Sequence, residues 1–174
     1  MKINIASNEV VHFIGIGGIG MSGLAQIMYN MGFVVQGSDL NQNKNTERLI
    51  KKGIKVYFGH KKNNLKKTTM IVISSAVKNN NKELIAAKHK KLPVFKRGDM
   101  LANIVALKKN IIVTGSHGKT TTTSLIGNIL ESGKLDPTIV NGGIINSISK
   151  NNKFGKGAWM IVEADESDGS FLKL

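Results

Sequence analysis

Short apolar runs alternate along the chain with segments whose apolar residues recur at helical spacing. The predicted strands are Val10–Ile14 and residues 33–35, 54–58, 70–74, 94–95, 111–113 and 159–162. The predicted helices are a segment that Gly32 closes, residues 46–52, 82–90 and 100–107, and a segment that starts at Thr120. Strands that alternate with helices predict an α/β fold with a doubly wound parallel sheet.

The alternation restarts at Lys108, Lys109 and Asn110 after the helix predicted over residues 100–107. We therefore predict two domains, residues 1–108 and residues 109–174. The polar stretches HKKNNLKK (residues 60–67) and KNNNKE (residues 78–83) are predicted to be loops without chemistry of their own.

The net charge is +14 and the isoelectric point is near 10, which by itself would suggest a nucleic-acid partner. The lysines are scattered, however, and aromatic residues make up only 5% of the chain, so no base-reading module is indicated. A compositional bias toward Lys, Asn and Ile, or an anionic small substrate, explains the charge equally well.

The absence of cysteine excludes disulfides and thiolate metal sites. The sequence contains neither a run long enough to span a bilayer nor a signal-peptide pattern at its start. We therefore expect a cytoplasmic protein that has neither nucleic acid nor membrane as a partner.

Gly15, Gly17 and Gly20 form a G-x-G-x-x-G turn between the first predicted strand and the first predicted helix. Glycines in such a turn let the backbone approach a diphosphate, and the helix N-terminus favours its negative charge. Asp39, at the end of the next strand, can accept hydrogen bonds from a nucleoside. This segment alone predicts a Rossmann-like unit for NAD or FAD, and the alternative is a tight turn that binds nothing.

A second glycine turn runs from Gly115 to Thr120, between the strand at 111–113 and the helix after it. The usual phosphate-binding loop has four residues between its glycines, whereas only two separate Gly115 from Gly118. Lys119 is placed to reach terminal phosphates, and the Thr120 hydroxyl to join a magnesium coordination sphere.

Four consecutive threonines open the following helix although threonine is a poor helix former. Their hydroxyls make sense beside phosphates and metal, and the alternative is a hydroxyl-rich helix cap. The apolar face of this helix is predicted to contain Leu125, Ile126, Ile129 and Leu130.

The strand at 159–162 leads into Glu163, and Asp165, Glu166 and Asp168 follow. An acid at the tip of a core strand, downstream of a phosphate loop, holds Mg²⁺ in many nucleotide hydrolases. Glu163 is therefore our candidate metal ligand. The alternative is a solvated acidic loop, although its charge opposes that of an otherwise basic chain.

Four motifs occur in a specific order: HFIGIGGIGMSGLA (12–25), SSAV (74–77), TGSHGKTTTT (114–123) and EADESDGSF (163–171). Together they resemble the Mur ligases, and the resemblance covers nearly the whole chain from His12 to Leu174. The phosphate loop of that family is G-x-x-G-K-T, which Gly115 to Thr120 match position by position. The resemblance thus explains the short spacing of the loop.

The resemblance implies a first domain that binds UDP-N-acetylmuramate and a second, P-loop-type domain that binds ATP. The residues implied for the UDP-sugar are Gly15, Gly17, Gly18, Gly20, Asp39 and Ser74. Those implied for ATP are Gly115, Ser116, His117, Gly118, Lys119, Thr120 and Thr121. Thr120 and Glu163 are the implied Mg²⁺ ligands, and Lys119 is the implied catalytic residue.

The reaction implied by the family is ATP-dependent amide-bond formation in peptidoglycan precursor synthesis. The lactyl carboxylate of UDP-N-acetylmuramate takes the γ-phosphoryl group of ATP, and the amine of L-alanine attacks the resulting acyl phosphate. Lys119 and Mg²⁺ would stabilise charge on the transferring phosphoryl group.

Two features depart from the family pattern. Asn81-Lys82-Glu83 stands where the family commonly has Asn-Pro-Glu, and the chain stops at Leu174, directly after the acidic motif. We therefore expect a fragment or a shortened reading frame that does not complete the reaction alone.

Three alternatives remain open at this stage. One is a nucleotide-sugar-binding fragment without catalysis. Another is an NAD-dependent oxidoreductase, which would leave the phosphate loop unexplained. Within the family, the alternative is the ligase that recycles murein tripeptide, whose first turn lacks the Gly-Ile-Gly-Gly pattern found at residues 15–18.

Overall fold

A computed structural model describes residues 9–140 and 153–164 of the chain. The chain divides into two compact units, Met1–Met100 and Leu101–Leu174. This division falls within the helix Arg97–Ala106, whereas the sequence pattern places the boundary after residue 108.

The first unit is an alternating α/β structure, and its order of elements follows the hydrophobic pattern. Its strands are β1 (Val10–Ile14), β2 (Val34–Asp39), β3 (Lys55–Phe58), β4 (Met70–Ile73) and β5 (Val94–Lys96). Its helices are α1 (Ile19–Asn30), α2 (Lys44–Lys51), the 3₁₀ helix Lys62–Leu65, α3 (Lys82–His89) and the beginning of α4 (Arg97–Ala106).

The five strands of this unit form one parallel sheet in the order β3-β2-β1-β4-β5. The chain first adds strands on one side of β1 and then, from β4 onward, on the other side. The predicted Rossmann-like, doubly wound sheet is therefore confirmed. In such a sheet, ligands bind at the carboxyl edge where the strand order reverses, and here that point lies between β1 and β4.

Local signals fix the ends of the helices in this unit. Gly32 ends α1 with a φ of +92°, a left-handed conformation that glycine adopts at little cost. The Asn43 side chain caps α2 in a capping box with Thr46. The Asn81 side chain caps α3 by accepting hydrogen bonds from the backbone N–H groups of Glu83 and Leu84.

The second unit contains the rest of α4, the strands β6 (Lys109–Val113), β7 (Thr138–Val140) and β8 (Trp159–Glu163), and the helix α5 (Lys119–Ser132). Its strands form a parallel sheet in the order β6-β8-β7. The two glycine turns thus occupy equivalent positions in the two units, each between a strand and the helix that follows it.

The structure adds two elements to the sequence prediction. The strand β7 has only three residues, Thr138–Val140, too few for a recognisable apolar pattern. The segment HKKNNLKK, expected to be a loop, contains the 3₁₀ helix Lys62–Leu65 with Asn64 and Leu65 buried. The helices α2 and α4 also begin earlier than predicted, at Lys44 and Arg97.

The predicted apolar face of α5 is wrong in part. Ile126 and Leu130 pack against the core of the second unit, but Leu125 and Ile129 are 58% and 69% exposed. The buried positions on this helix are Thr123 and Gly127. Gly127 lies so close to β7 that an added Cβ would come within 2.5 Å of the Ile139 Cδ1 atom. The contact with β7 therefore fixes which face of α5 is buried.

Within the described residues, 9–140 and 153–164, no helix combines the length and the apolar character needed to cross a membrane.

Candidate functional site

A cleft of about 610 Å³ opens at the carboxyl edge of the first sheet. Residues that follow four different strands reach it: Gly15 after β1, Asp39 at the end of β2, His60 after β3 and Ser74 after β4. Parallel strands present their carboxyl ends at the same edge, so residues distant in sequence meet there. Gly17 and Gly18 also line this cleft.

The turn after β1 has a geometry that suits an anion. Gly15 has a φ of +82°, and an added Cβ there would lie 3.4 Å from the Ser74 Cβ atom. Gly18 is the N-cap of α1, whose first turn contains no acidic residue. The first N–H groups of an α-helix lack intrahelical acceptors, and together with the helix dipole they favour a phosphate group.

Asp39 is tied to the glycine turn. Its Oδ2 atom accepts a hydrogen bond of 2.7 Å from the Gly17 N–H, and its Oδ1 atom accepts one of 3.3 Å from the Asn41 N–H. The carboxylate therefore holds the turn as well as lining the cleft. Its predicted contact with a nucleoside stays a prediction.

Gly20 is the one residue predicted for the UDP-sugar that does not line this cleft. An added Cβ at Gly20 would lie 2.4 Å from the Arg97 Nη1 atom, so this glycine makes room for the guanidinium group. Its role in the fold is thus to allow close packing against Arg97.

A buried polar network lies below the cleft and was not foreseen from the sequence. The Glu83 side chain is fully buried, and its Oε2 atom accepts a hydrogen bond of 2.5 Å from the Ser38 hydroxyl. His60 Nδ1 lies 3.2 Å from the same oxygen, and the Asn64 amide donates to Glu83 Oε1 at 2.6 Å. Nε2 of the buried His12 lies 3.5 Å from Glu83 Oε2, an electrostatic contact rather than a hydrogen bond.

The pKa of Glu83 is lowered by this network. Burial on its own would raise the pKa of the carboxyl group, whereas the neighbouring His12, Ser38 and Asn64 side chains lower it and prevail. The charged form is therefore favoured in the folded chain.

We expect Glu83→Gln to lower the free energy of unfolding by about 1–3 kcal/mol at pH 7, because donors arranged around a carboxylate would then face an amide. A lowered pKa means that the unfolded chain binds more protons, so the stabilisation is complete above the ordinary pKa of 4.5 and is lost as the pH falls through the lowered value. Urea unfolding at several pH values should show the two proteins converging in acid. A gap that widens as the pH falls would contradict this, and Glu47→Gln on the exposed side of α2 is the control.

The sequence pattern did not identify His60 and Glu83 as site residues, because both lie in segments that were predicted to be polar loops or helix starts. One signal was available. His12 occupies a position in a strand that is otherwise apolar, and a polar group buried there requires a partner. The sequence did not indicate which residue that partner would be.

The loop between β6 and α5 forms the candidate phosphate site of the second unit. Gly115 and Gly118 have φ values of +144° and +75°, both in the range that favours glycine. Gly118 is the N-cap of α5 and provides no side-chain hydrogen bond to the first turn. Lys119 Nζ donates a hydrogen bond of 2.6 Å to the Gly115 carbonyl, which places the ammonium group across the loop. Ser116, His117 and Thr121 are exposed.

Thr120 and Glu163, the two predicted metal ligands, lie side by side. The strands β6 and β8 pair so that Val113 is opposite Glu163, and the Ala164 N–H donates to the Val113 carbonyl. The Thr120 hydroxyl lies 3.1 Å from each oxygen of the Glu163 carboxylate. The phosphate loop and the end of β8 are therefore adjacent, as a metal site shared by Thr120 and Glu163 would require.

Both groups suit Mg²⁺, which prefers oxygen ligands in octahedral geometry at about 2.0–2.1 Å. Neighbouring ligands of such an ion lie about 3 Å apart by that geometry, which matches the separation between Thr120 and Glu163. Across residues 9–140 and 153–164, no group of three or more His, Cys, Asp or Glu side chains could hold a metal ion. Mg²⁺ in proteins usually keeps several waters and binds one or two carboxylates together with substrate phosphates.

The remaining acidic residues of the third motif, Asp165, Glu166 and Asp168, lie outside the described residues.

Comparison with known proteins identifies the family. The model of the Mur ligase family, catalytic domain, matches residues 10–109. A protein of Pelagibacter ubique named UDP-N-acetylmuramate–L-alanine ligase is 64% identical over 172 residues, which are 99% of this chain and 37% of that protein. A protein of Brucella ovis with the same name is 54% identical over 174 residues, covering 100% of this chain and 36% of that protein. The chain thus spans just over a third of the length of these curated relatives.

Solved structures agree with the sequence comparison. UDP-N-acetylmuramate-alanine ligase from Thermotoga maritima has a TM-score of 0.69 and 31% identity, covering 88% of this chain and 36% of that one. UDP-N-acetylmuramate:L-alanyl-gamma-D-glutamyl-meso-diaminopimelate ligase from Neisseria meningitides has a TM-score of 0.70 and 30% identity, covering 92% of this chain and 53% of that one. The family model covers more than half of the chain, and so the chain belongs to the Mur ligase family.

Proposed function

We propose that this chain is part of an ATP-dependent ligase that joins L-alanine to the lactyl carboxylate of UDP-N-acetylmuramate. The choice of substrates is supported by the names of relatives that are 54–64% identical over almost the whole chain. The choice of chemistry is supported by one observation above all, the contact between Thr120 and Glu163 beside the Gly115–Lys119 loop.

In this proposal, the first unit binds the UDP-sugar in the cleft at the carboxyl edge of its sheet. Gly15, Gly17 and Gly18 bring backbone close to the diphosphate, and the N-terminus of α1 faces its charge. Asp39 and Ser74 line the same cleft and contact the rest of the ligand. Gly20 contributes by seating Arg97 against the first turn of α1.

The second unit binds ATP on the loop from Gly115 to Thr121. Lys119 leaves the Gly115 carbonyl and donates to the terminal phosphates, where its charge stabilises the transferring phosphoryl group. Thr120 and Glu163 would hold Mg²⁺, which would supply positive charge beside the nucleotide phosphates.

The proposed reaction has two steps. A carboxylate oxygen of the lactyl group attacks the γ-phosphorus of ATP, so that ADP leaves and an acyl phosphate forms. The amine of L-alanine then attacks the acyl carbon, and inorganic phosphate leaves as the amide bond forms. Phosphorylation is needed because a carboxylate oxygen is otherwise a poor leaving group.

The experiment that tests this proposal is a chimera in which the chain replaces the matching segment of the Pelagibacter ubique relative. The chimera should form an amide from UDP-N-acetylmuramate and L-alanine and release one phosphate per product. Binding of the UDP-sugar without phosphate release would instead favour a binding fragment without catalysis. Release of phosphate with the free tripeptide as the only acceptable amine would favour the recycling ligase.

A Glu163→Ala variant of the chimera should form acyl phosphate slowly at low Mg²⁺ and recover in part as Mg²⁺ is raised. The reason is mass action, since a weakened metal site fills at higher metal concentration. The measurement is the rate of acyl-phosphate formation at several Mg²⁺ concentrations, with Glu131→Ala at the other end of α5 as the control. A defect that does not depend on Mg²⁺ would remove Glu163 from the metal site.

A further inference from the structure

His60 reaches the wall of the cleft from the turn after β3. Gly59, which precedes it, has a φ of +84° and donates its N–H to the Asp39 carbonyl at 2.8 Å. The Gly59 carbonyl accepts a hydrogen bond of 3.1 Å from the Asn64 amide. The backbone on the N-terminal side of His60 is thus held at the end of β2, and the ring lines the cleft with 15% of the side chain exposed.

The hydrogen bonds below the ring determine where its proton is. Ser38 has a single hydroxyl hydrogen, and its closest acceptor is Glu83 Oε2 at 2.5 Å, so we assign the hydrogen to that contact. His60 Nδ1 lies 2.9 Å from the Ser38 oxygen and 3.2 Å from Glu83 Oε2. Both neighbours can therefore only accept, so Nδ1 is the donor and carries hydrogen.

This arrangement leaves Nε2 of His60 for another partner. Within the described residues, the hydrogen bonds of the His60 ring are made by Nδ1, and Nε2 is not among the buried polar atoms that lack a partner, so Nε2 is accessible. In a neutral imidazole that is protonated at Nδ1, Nε2 is an acceptor. The ring lines the cleft, so a ligand there with an N–H or O–H group can donate to it.

Glu83 is placed to keep the His60 ring protonated at Nδ1. It is fully buried, and within the described residues its two carboxylate oxygens contact Ser38, His60, His12 and Asn64. A carboxylate that binds one imidazole nitrogen fixes the ring orientation and the tautomer, as it does for many histidines that bind metals or transfer protons.

We propose that His60 contacts the ligand in the cleft through Nε2 and that Glu83 is its positioning residue, acting directly and through Ser38. The ligand group is a hydrogen-bond donor, such as a hydroxyl or imide N–H of the nucleotide sugar. This inference rests on the proposed function, because it takes the cleft to be the UDP-sugar site.

Calorimetry on the whole 174-residue chain with UDP-N-acetylmuramate tests the contact. His60→Ala should weaken binding roughly tenfold, the effect of losing one hydrogen bond to a ligand. His89→Ala, which removes an exposed histidine from the end of α3, should leave binding unchanged. Binding by the wild type that His60→Ala leaves intact would overturn this inference alone, whereas no binding by the wild type would overturn the proposed function as well.

A double-mutant cycle tests the positioning role. Glu83→Gln should weaken binding about three- to tenfold, because the His60 ring would no longer be held in the form protonated at Nδ1. Glu47→Gln should leave binding unchanged. If Glu83 acts through His60, the double variant should bind no more weakly than His60→Ala alone. If the losses of binding free energy in the two single variants add in full in the double variant, Glu83→Gln acts through the fold, and the positioning role would be overturned.

The tautomer itself can be read by ¹⁵N nuclear magnetic resonance of the histidine rings in the wild-type chain. His60 should be protonated at Nδ1 in its neutral form, and Glu83→Gln should raise the share protonated at Nε2. This measurement keeps the proposal falsifiable even where a variant fails to fold. A His60 ring protonated at Nε2 in the wild type would overturn it.

Discussion

Lys119→Ala in the chimera is expected to lower the rate of acyl-phosphate formation about 100- to 1,000-fold. Lys119 starts α5 and its ammonium group lies across the phosphate loop, 2.6 Å from the Gly115 carbonyl. From that position it can follow the γ-phosphoryl group as charge moves during transfer. Because this charge matters most in the transition state, ATP binding should weaken less, roughly tenfold.

Comparing the two effects separates catalysis from binding. ATP binding is measured by calorimetry in the presence of Mg²⁺, and the chemical step by single-turnover kinetics. Lys134→Ala removes the same charge just after the other end of α5 and should change neither quantity. Equal losses in binding and in rate would mean that Lys119 only holds the nucleotide.

Gly17→Val is expected to weaken binding of UDP-N-acetylmuramate by roughly tenfold to a hundredfold and to leave ATP binding unchanged. A side chain at this turn would block the approach of backbone to a diphosphate. The structure adds a second reason. An added Cβ would lie 2.7–2.8 Å from atoms of Asn43, Asp39 and Thr46, so the bond between Asp39 and the Gly17 N–H would be strained.

The control for Gly17→Val is another glycine in the same unit. Gly32→Ala places a side chain at a φ of +92° and should cost about 1–2 kcal/mol of stability. It meets no atom within 4 Å and is not part of the cleft, so sugar binding should persist. If Gly32→Ala lost sugar binding as well, or if Gly17→Val lost both ligands, the effect would be one of folding.

The strand and helix alternation of the first unit followed directly from local pattern. Val10–Ile14 is an apolar run bounded by a glycine turn, and both the strand and the helix after it were predicted in place. The parallel order of the sheet also followed, because a strand joined to the next strand by a helix leads to parallel pairing. The motifs also predicted that the strand before the phosphate loop lies beside the strand that ends at Glu163, but the register that sets Val113 opposite Glu163 came from the structure.

The buried face of α5 and the short strand β7 could not be predicted from the hydrophobic pattern. Leu125 and Ile129 are as apolar as Ile126 and Leu130, and local spacing cannot distinguish which pair faces the sheet. The difference arises because Gly127 allows α5 to approach Ile139 on β7, a strand of three residues that carries almost no signal of its own.

The sequence by itself determined the family, the two glycine turns and the placing of Thr120 near Glu163, because these depend on motifs and on the order of elements along the chain. Only the tertiary structure decided that Gly20 seats Arg97 and that Glu83 is buried beside Ser38, His60 and His12. A buried carboxylate is stable only where donors from several elements converge on it. Here the donors come from β2, the turn after β3 and the 3₁₀ helix, and His12 on β1 adds an electrostatic contact. These elements are distant in sequence, so no local pattern could show that they meet.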